Sequence, residues 1–113
     1  MSQDIEETKK YDVLADELFV YCRQAIDTIN YRVLKINPAL GIIHAAKINR
    51  NMKFEISITP VSDQESNLYI KAYSINGFGG RVGLQHPRKC RKHLDNFLQL
   101  LDAIVRRAKI QYR

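Results

Sequence analysis

The sequence predicts a two-layer α+β domain, in which two amphipathic helices cover one face of an antiparallel sheet of about five strands. In two segments, near the start and at the end of the chain, apolar residues recur three and four positions apart, which indicates helices with one buried face. Between them lie short stretches rich in β-branched and aromatic residues, the pattern of consecutive strands. Because 113 residues suffice for one such core and not for two, we expect residues 1–113 to form a single domain.

The chain is expected to begin with a frayed polar segment, residues 1–8, that runs into a short strand at 9–13. The first helix is predicted at 14–28, because its apolar residues form one stripe. Asp12 is the expected N-cap, since a short carboxylate side chain accepts hydrogen bonds from the free N–H groups of the first turn. Asn30 is expected to end this helix.

Four strands are predicted in the middle of the chain, at 31–36, 42–48, 52–59 and 68–75. The third of them is the clearest, because apolar and polar residues alternate from Met52 onward and place one face in the core. Pro60 ends this strand, since proline cannot donate to the ladder of hydrogen bonds. The element order up to this point is strand, helix and four strands in a meander.

A glycine-rich loop at 76–80 leads to the final helix, predicted at 87–107. Pro87 suits its first position, because the N–H that proline lacks has no partner there. The alternation of the third strand and the helical spacing of the final helix together predict one buried set. This set consists of Phe54, Ile56, Leu94, Leu98 and Leu101.

The complete order of elements, with the long helix last, resembles the TATA-box-binding-protein-like and helix-grip folds. The resemblance rests on element order and covers most of the chain. It implies the same two-layer architecture, and a helix-grip shape can hold a hydrophobic ligand between the long helix and the sheet. Because a fold does not determine a function, functional residues must be argued from their own chemistry.

Charge is distributed unevenly along the chain. Residues 1–30 carry a formal charge of −4, residues 31–75 carry +3, and residues 76–113 carry +7. A basic end of this kind suits an anionic partner, such as nucleic acid, an anionic lipid headgroup or an acidic protein surface.

The cysteines and the apolar runs indicate a cellular location. Two cysteines, Cys22 and Cys90, cannot build a disulfide framework, which favours a reducing compartment. The first ten residues are polar and acidic, unlike a signal peptide, and no apolar run approaches the length of a membrane span. We therefore expect a cytoplasmic protein without a transmembrane segment.

The strongest candidate site is a cluster of cations at the start of the final helix. Arg88, Lys89, Arg91 and Lys92 occupy its first two turns, where the helix dipole disfavours positive charge. The preceding loop adds Arg81 and glycines whose backbone N–H groups can converge on one spot. A bound anion would relieve the excess charge; the alternative is a solvated basic face.

A second candidate lies on the strand predicted at 68–75. If its apolar residues face the helices, then Tyr69, Lys71, Tyr73 and Ile75 face away from them. Two aromatic rings around a lysine can stack against single-stranded nucleic acid. The alternatives are pairing of tyrosines with the neighbouring strand and a contact between two copies of the chain.

Patterns for catalysis and metal binding are weak. His86, Cys90 and His93 are zinc-ligand residue types at helical spacing. However, His86 precedes Pro87, which pushes it out of helical angles, so packing in the core is the expected role of Cys90. No spacing pairs a nucleophile with a base, and we expect no metal and no cofactor.

These observations lead to one main hypothesis and two alternatives. The main hypothesis is a non-catalytic binding module for an anionic partner, which would use the basic helix start and the glycine loop. The first alternative is a homo-oligomeric subunit that uses the open face of the sheet, by two-fold symmetry. The second is a carrier of a hydrophobic ligand between helix and sheet. An enzyme has the least support.

Overall fold

The computed structural model describes residues 5–74 and 87–111. Its elements are β1 (Ile5–Tyr11), α1 (Ala15–Thr28), β2 (Arg32–Asn37), β3 (Ile42–Lys47), a 3-10 helix (Ile48–Arg50), β4 (Met52–Pro60), β5 (Ser66–Ser74) and α2 (Pro87–Gln111). The strands form one sheet in the order β1-β5-β4-β3-β2, and every neighbouring pair is antiparallel. The predicted α+β class and five-stranded sheet are confirmed.

The core lies between the two helices and one face of the sheet. Phe54, Ile56, Leu94 and Leu101 are at most 1% exposed and Leu98 is 7% exposed, so the predicted buried set is confirmed. Buried residues from both helices belong to the same apolar cluster as those of the sheet. Both helices therefore cover the same face. Of the helices in the described ranges, none has the length and apolar character needed to cross a membrane.

The first strand begins earlier than predicted. Residues 5–8, which were expected to be frayed, pair with β5, and the strand ends at Tyr11 rather than at residue 13. β1 lies at an edge of the sheet, where charged side chains are common because they discourage pairing with other chains. This polar composition is why the sequence of residues 5–8 resembled a loose terminus.

Two predicted features of the helices also differ from the structure. Asp12 is not the N-cap of α1: Leu14 holds that position and makes no side-chain capping bond. Negative charge still lies at the helix start, in Asp16 and Glu17, where it suits the dipole. α2 continues to Gln111, four residues beyond its predicted end.

Polar contacts fasten α2 to the edge strand β1. The Lys9 Nζ atom lies 2.6 Å from Asp102 Oδ2, and the Tyr11 hydroxyl donates to Asp102 Oδ1 at 2.8 Å. Nearer the start of α2, Arg91 Nη1 lies 2.7 Å from Glu7 Oε1. Burial raises the pKa of Tyr11, and Asp102 raises it further, so this hydroxyl remains a donor. β1 and one side of α2 are therefore held together along both halves of the helix.

Candidate functional site

A cleft of about 1130 Å³ opens where the end of α1, the end of β3 and the start of α2 meet. Its described walls are residues 28–31, Lys47, residues 49–50 and one side of the first turns of α2. These segments are far apart in the sequence, and the sheet brings them together. This space is called the cleft below.

A helix-ending motif places Tyr31 in the wall of the cleft. Asn30 has a left-handed backbone, with φ 63°, a conformation that asparagine adopts more readily than most residues. Its N–H donates to Asp27 O, and the N–H of Tyr31 donates to Ile26 O, both at 3.1 Å. This is the Schellman arrangement, which reverses the chain after a helix. The predicted helix end at Asn30 is confirmed, and the reversal directs Tyr31 back toward the core.

Tyr31 is the outer member of an aromatic stack that reaches into the core. Its ring lies parallel to that of Phe54, with 4.7 Å between centroids and 10° between planes. The ring of Phe54 in turn contacts that of Phe97 in α2, with 5.4 Å between their centroids. Tyr31 is 6% exposed, and its buried hydroxyl has no hydrogen-bond partner among the described residues. Burial raises the pKa of Tyr31, so the hydroxyl keeps its proton.

Lys47 holds the same junction from the side of the sheet. Its Nζ atom donates to Ile29 O at 3.0 Å and lies 5.9 Å from the centroid of the Tyr31 ring. α1 has no basic residue in its own last turn, so Lys47 supplies the positive charge that the C-terminal end of a helix favours. It contributes a cation–π contact as well.

The described walls of the cleft are cationic. They include five basic side chains and no carboxylate; the five are Lys47, Arg50, Arg88, Lys89 and Lys92. The half-buried His93 lies among them, and burial lowers the pKa of this imidazole, as do the cations nearest to it. The ring is therefore neutral at pH 7, with one nitrogen that donates and one that accepts a hydrogen bond.

The predicted cation cluster is divided by the helix. Arg88, Lys89 and Lys92 line the cleft, whereas Arg91 faces β1 and pairs with Glu7. Successive residues of a helix are turned by about 100°, so four neighbouring cations cannot all face one space. Of the four helix cations, the structure brings Arg88, Lys89 and Lys92 together and not Arg91, and their role in binding a ligand stays a prediction. Arg81 lies outside the described residues.

Further cleft residues were not singled out from the sequence. Tyr31 and Lys47 were assigned only to predicted strands, and Arg50 to a hairpin loop. His93 was weighed as a metal ligand and not as part of a cleft. A helical wheel places Lys89 on the same face as Lys92 and His93, which follow it three and four positions later in the helix. No local signal connects these side chains with Tyr31.

The second predicted surface lies on the open face of the sheet. Tyr69, Lys71 and Tyr73 are half-buried there, and the Tyr73 hydroxyl donates to Glu55 Oε2 at 2.6 Å. This bond, and to a smaller extent the nearby cations, lowers the pKa of Glu55. Ile75 lies outside the described residues. Contact between two copies of the chain through this face stays a prediction.

The cysteines belong to the interior. Cys90 is fully buried, with its Sγ atom 3.7 Å from Ser74 Oγ. Cys22 is equally buried, and burial raises the pKa of its thiol, which keeps it protonated and unreactive. Within residues 5–74 and 87–111, no three potential metal ligands gather; His86 lies outside these ranges.

We expect acid to destabilise the protein through His93. Its folded-state pKa is below the ordinary value of 6.5, so the unfolded chain binds more protons as the pH falls below that value. Stability contributed by the neutral ring is complete above about pH 6.5 and is lost as the pH falls through the folded-state pKa. His93→Gln should therefore lose less stability than the parent between pH 7.5 and 5.0, as measured by urea unfolding. Equal slopes for parent and His93→Gln would contradict the prediction.

Comparison with known proteins gives the fold. No family profile matches the chain, and no curated protein matches it in sequence. The di-domain aromatase/cyclase BexL from the BE-7585A biosynthetic pathway matches in structure with a TM-score of 0.64 and 16% identity, over 94% of this chain and 47% of BexL. The chain thus spans about half of BexL. The ZhuI aromatase/cyclase from Streptomyces sp. R1128 matches with a TM-score of 0.56 and 14% identity, over 97% of this chain and 95% of ZhuI.

At such identities the likeness shows the fold alone, and it supports the helix-grip resemblance. The prediction of a binding module for nucleic acid, a lipid headgroup or an acidic protein surface is wrong. The solved structures that share the fold are described as aromatase/cyclases, and the helix start does not present its cations as one cluster. The findings agree better with the alternative of a ligand held between the long helix and the sheet.

Proposed function

We propose that this chain binds a small organic molecule with an apolar, aromatic body, held in the cleft between the start of α2 and the end of the sheet. One observation carries the proposal. The Tyr31 hydroxyl is a buried donor with no partner among the described residues, in a side chain that lines the cleft. A buried polar group left unpaired costs about 1–3 kcal/mol. A ligand oxygen that accepts a hydrogen bond from this hydroxyl would recover that free energy.

The shape and size of the cleft support a small molecule. Its volume of about 1130 Å³ lies slightly above the range for small-molecule sites, roughly 300–1,000 Å³. The Tyr31 ring, backed by Phe54 at 4.7 Å, provides a rigid apolar wall on which an aromatic ring can pack. Ile29 and Tyr31 are the apolar part of a described lining that is otherwise polar and cationic.

The outer walls favour a ligand that carries oxygen atoms. Asn49 and Asn96 offer amide groups there, and the neutral His93 offers one donor and one acceptor. The ligand expected from these walls is a fused aromatic or partly aromatic molecule with carbonyl and hydroxyl groups. BexL and ZhuI, described as aromatase/cyclases, support this class of ligand by analogy of fold.

Tyr31→Phe tests the role of the hydroxyl, because the variant should keep or gain stability and lose affinity for a ligand. Without ligand, the free energy of unfolding should be unchanged or higher by up to about 1 kcal/mol, because an unpaired buried donor is removed. The dissociation constant for 7-methoxycoumarin, whose carbonyl oxygen accepts hydrogen bonds, should rise about fivefold, which corresponds to one hydrogen bond of about 1 kcal/mol. Fluorescence titration and urea unfolding measure the two effects.

The matched control is Tyr69→Phe, which removes a tyrosine hydroxyl from the open face of the sheet. It should leave the affinity for the probe unchanged. Amide chemical shifts that move on titration should belong to residues 28–31, Lys47 and the first turns of α2. Shifts confined to the open face, or equal affinity of Tyr31→Phe and the parent, would contradict the proposal.

A further inference from the structure

We infer that the cleft selects ligands with an acidic hydroxyl, a phenol or an enol, and promotes ionisation of that hydroxyl once the ligand is bound. This inference rests on the proposed function and specifies the chemistry of its ligand. The ligand enters as a neutral, largely apolar molecule. Its O–H bond then breaks, the electron pair stays on the ligand oxygen, and the proton passes to water.

The uneven charge of the described walls is the first argument. Five cations line the cleft without a carboxylate, and they come from three separate elements: β3, the 3-10 helix and α2. On α2 the acids face elsewhere, since Asp95 lies 3.3 Å from Arg91 and Asp102 lies 2.6 Å from Lys9. An opposite charge within about 4–6 Å favours the charged form of an acid by one to three pKa units. A ligand hydroxyl that comes within this distance of one of the five cations would have its pKa lowered in this way.

The end of α1 does not cancel this field. The C-terminal end of a helix carries a partial negative charge, and the last turn of α1 borders the cleft through Thr28 and Ile29. Lys47 donates to the Ile29 carbonyl oxygen at 3.0 Å, so that carbonyl is already engaged. The helix end therefore presents a neutralised group to the cleft, and the cations of the 3-10 helix and α2 remain the dominant charges.

The pKa of His93 is lowered, which is the direction expected for an imidazole among cations. Burial is the main reason that its pKa is lowered, and Lys89, Arg50, Lys47 and Lys92 lower it further. Burial disfavours a charge of either sign, so only the part of this shift that comes from the four cations favours a negative charge on a neighbouring oxygen. The neutral ring can donate a hydrogen bond to that oxygen.

Tyr31, which also lines the cleft, carries the second hydrogen-bond donor of the inference. It keeps its proton because burial raises its pKa, and it has no other acceptor among the described residues. Hydrogen bonds to an ionised acceptor are about twice as strong as those between neutral groups. A phenolate or enolate oxygen within reach of Tyr31 would therefore gain more from this donor than a neutral carbonyl oxygen.

A matched pair of probes separates ionisation from binding. The absorption and fluorescence excitation of 7-hydroxycoumarin change when its hydroxyl ionises, whereas 7-methoxycoumarin has the same ring system and cannot ionise. With saturating protein, the titration midpoint of bound 7-hydroxycoumarin should lie at least about one pH unit below that of the free probe. The affinity for the methoxy probe should not change across the same pH range above neutrality.

Charge variants on α2 test the cause of the shift. Lys89→Gln with Lys92→Gln removes two cleft cations and should return the midpoint at least halfway to that of the free probe. The control, Arg106→Gln with Lys109→Gln, removes the same charge from the exposed far end of α2 and should keep the full shift. Equal midpoints for free and bound 7-hydroxycoumarin, or equal effects of the two double variants, would overturn the inference. If both coumarins bind and either of these results is found, only the inference fails; if neither coumarin binds, the proposed function itself fails.

Discussion

Phe54→Ala should lower the free energy of unfolding by about 3–5 kcal/mol, the usual range for removing a buried phenylalanine ring. Phe54 is fully buried and lies between Tyr31 and Phe97, at 4.7 and 5.4 Å between ring centroids. Its removal leaves a cavity at the point where sheet, α2 and cleft wall meet. Because the free energy of unfolding of small domains is about 5–15 kcal/mol, this one change can remove much of the protein's stability.

Urea unfolding monitored by circular dichroism measures the effect. Phe54→Leu fills most of the space and should cost less than half as much, so the series remains informative where the alanine variant does not fold. Leu40→Ala is the surface control, since Leu40 is 64% exposed, and it should stay within about 0.5 kcal/mol of the parent. Equal losses for Phe54→Ala and Leu40→Ala would show that the aromatic stack does not support the core.

Asp102→Ala should lower the free energy of unfolding by about 2 kcal/mol. Most of this loss comes from Tyr11, which is 6% exposed and donates to Asp102 at 2.8 Å, because a buried hydroxyl left without an acceptor costs about 1–3 kcal/mol. Lys9 adds less, since its side chain is 38% exposed and such pairs contribute at most about 1 kcal/mol. The change removes the contacts of Lys9 and Tyr11 with α2 and leaves that of Glu7 with Arg91.

A double-mutant cycle isolates this contact. Tyr11→Phe removes the stranded hydroxyl, so its combination with Asp102→Ala should cost less than the sum of the two single changes. Asp95→Ala provides the control on the same helix, because its contact with Arg91 is an exposed i,i+4 pair worth about 0.5 kcal/mol or less. Additive losses in the cycle would show that Tyr11 and Asp102 do not act together.

The stack and the contacts with β1 explain how α2 can border a ligand site. One side of α2 is held to β1 through Glu7 and Asp102, and Phe97 packs against Phe54 in the core. The adjacent side, with Lys89, Lys92 and His93, is left to the cleft. The contacts of α2 with β1 and with Phe54 therefore set the position of this helix independently of the proposed ligand.

The helices, four of the strands and the buried set could be predicted from the sequence, because these follow from apolar periodicity within short segments. Phe54 and Leu98 could be assigned to the core from the spacing of their neighbours alone. The end of α1 at Asn30 could also be predicted from the local sequence, since asparagine readily adopts a left-handed backbone. In each case the deciding interaction lies within about one turn of helix or a few residues of strand.

The extent of β1, the division of the cations and the cleft depend on contacts between segments that are distant in the sequence. Residues 5–8 become a strand because β5, more than sixty residues away, pairs with them. Arg91 points away from the cleft that Arg88, Lys89 and Lys92 line, because it pairs with Glu7 of β1. Tyr31 meets Phe54 and the start of α2 only after the sheet has formed, so its unpaired hydroxyl could not be read from its neighbours in the chain. Charge counted along a sequence does not say which side chains share a space; the rotation of a helix and the pairing of distant strands do.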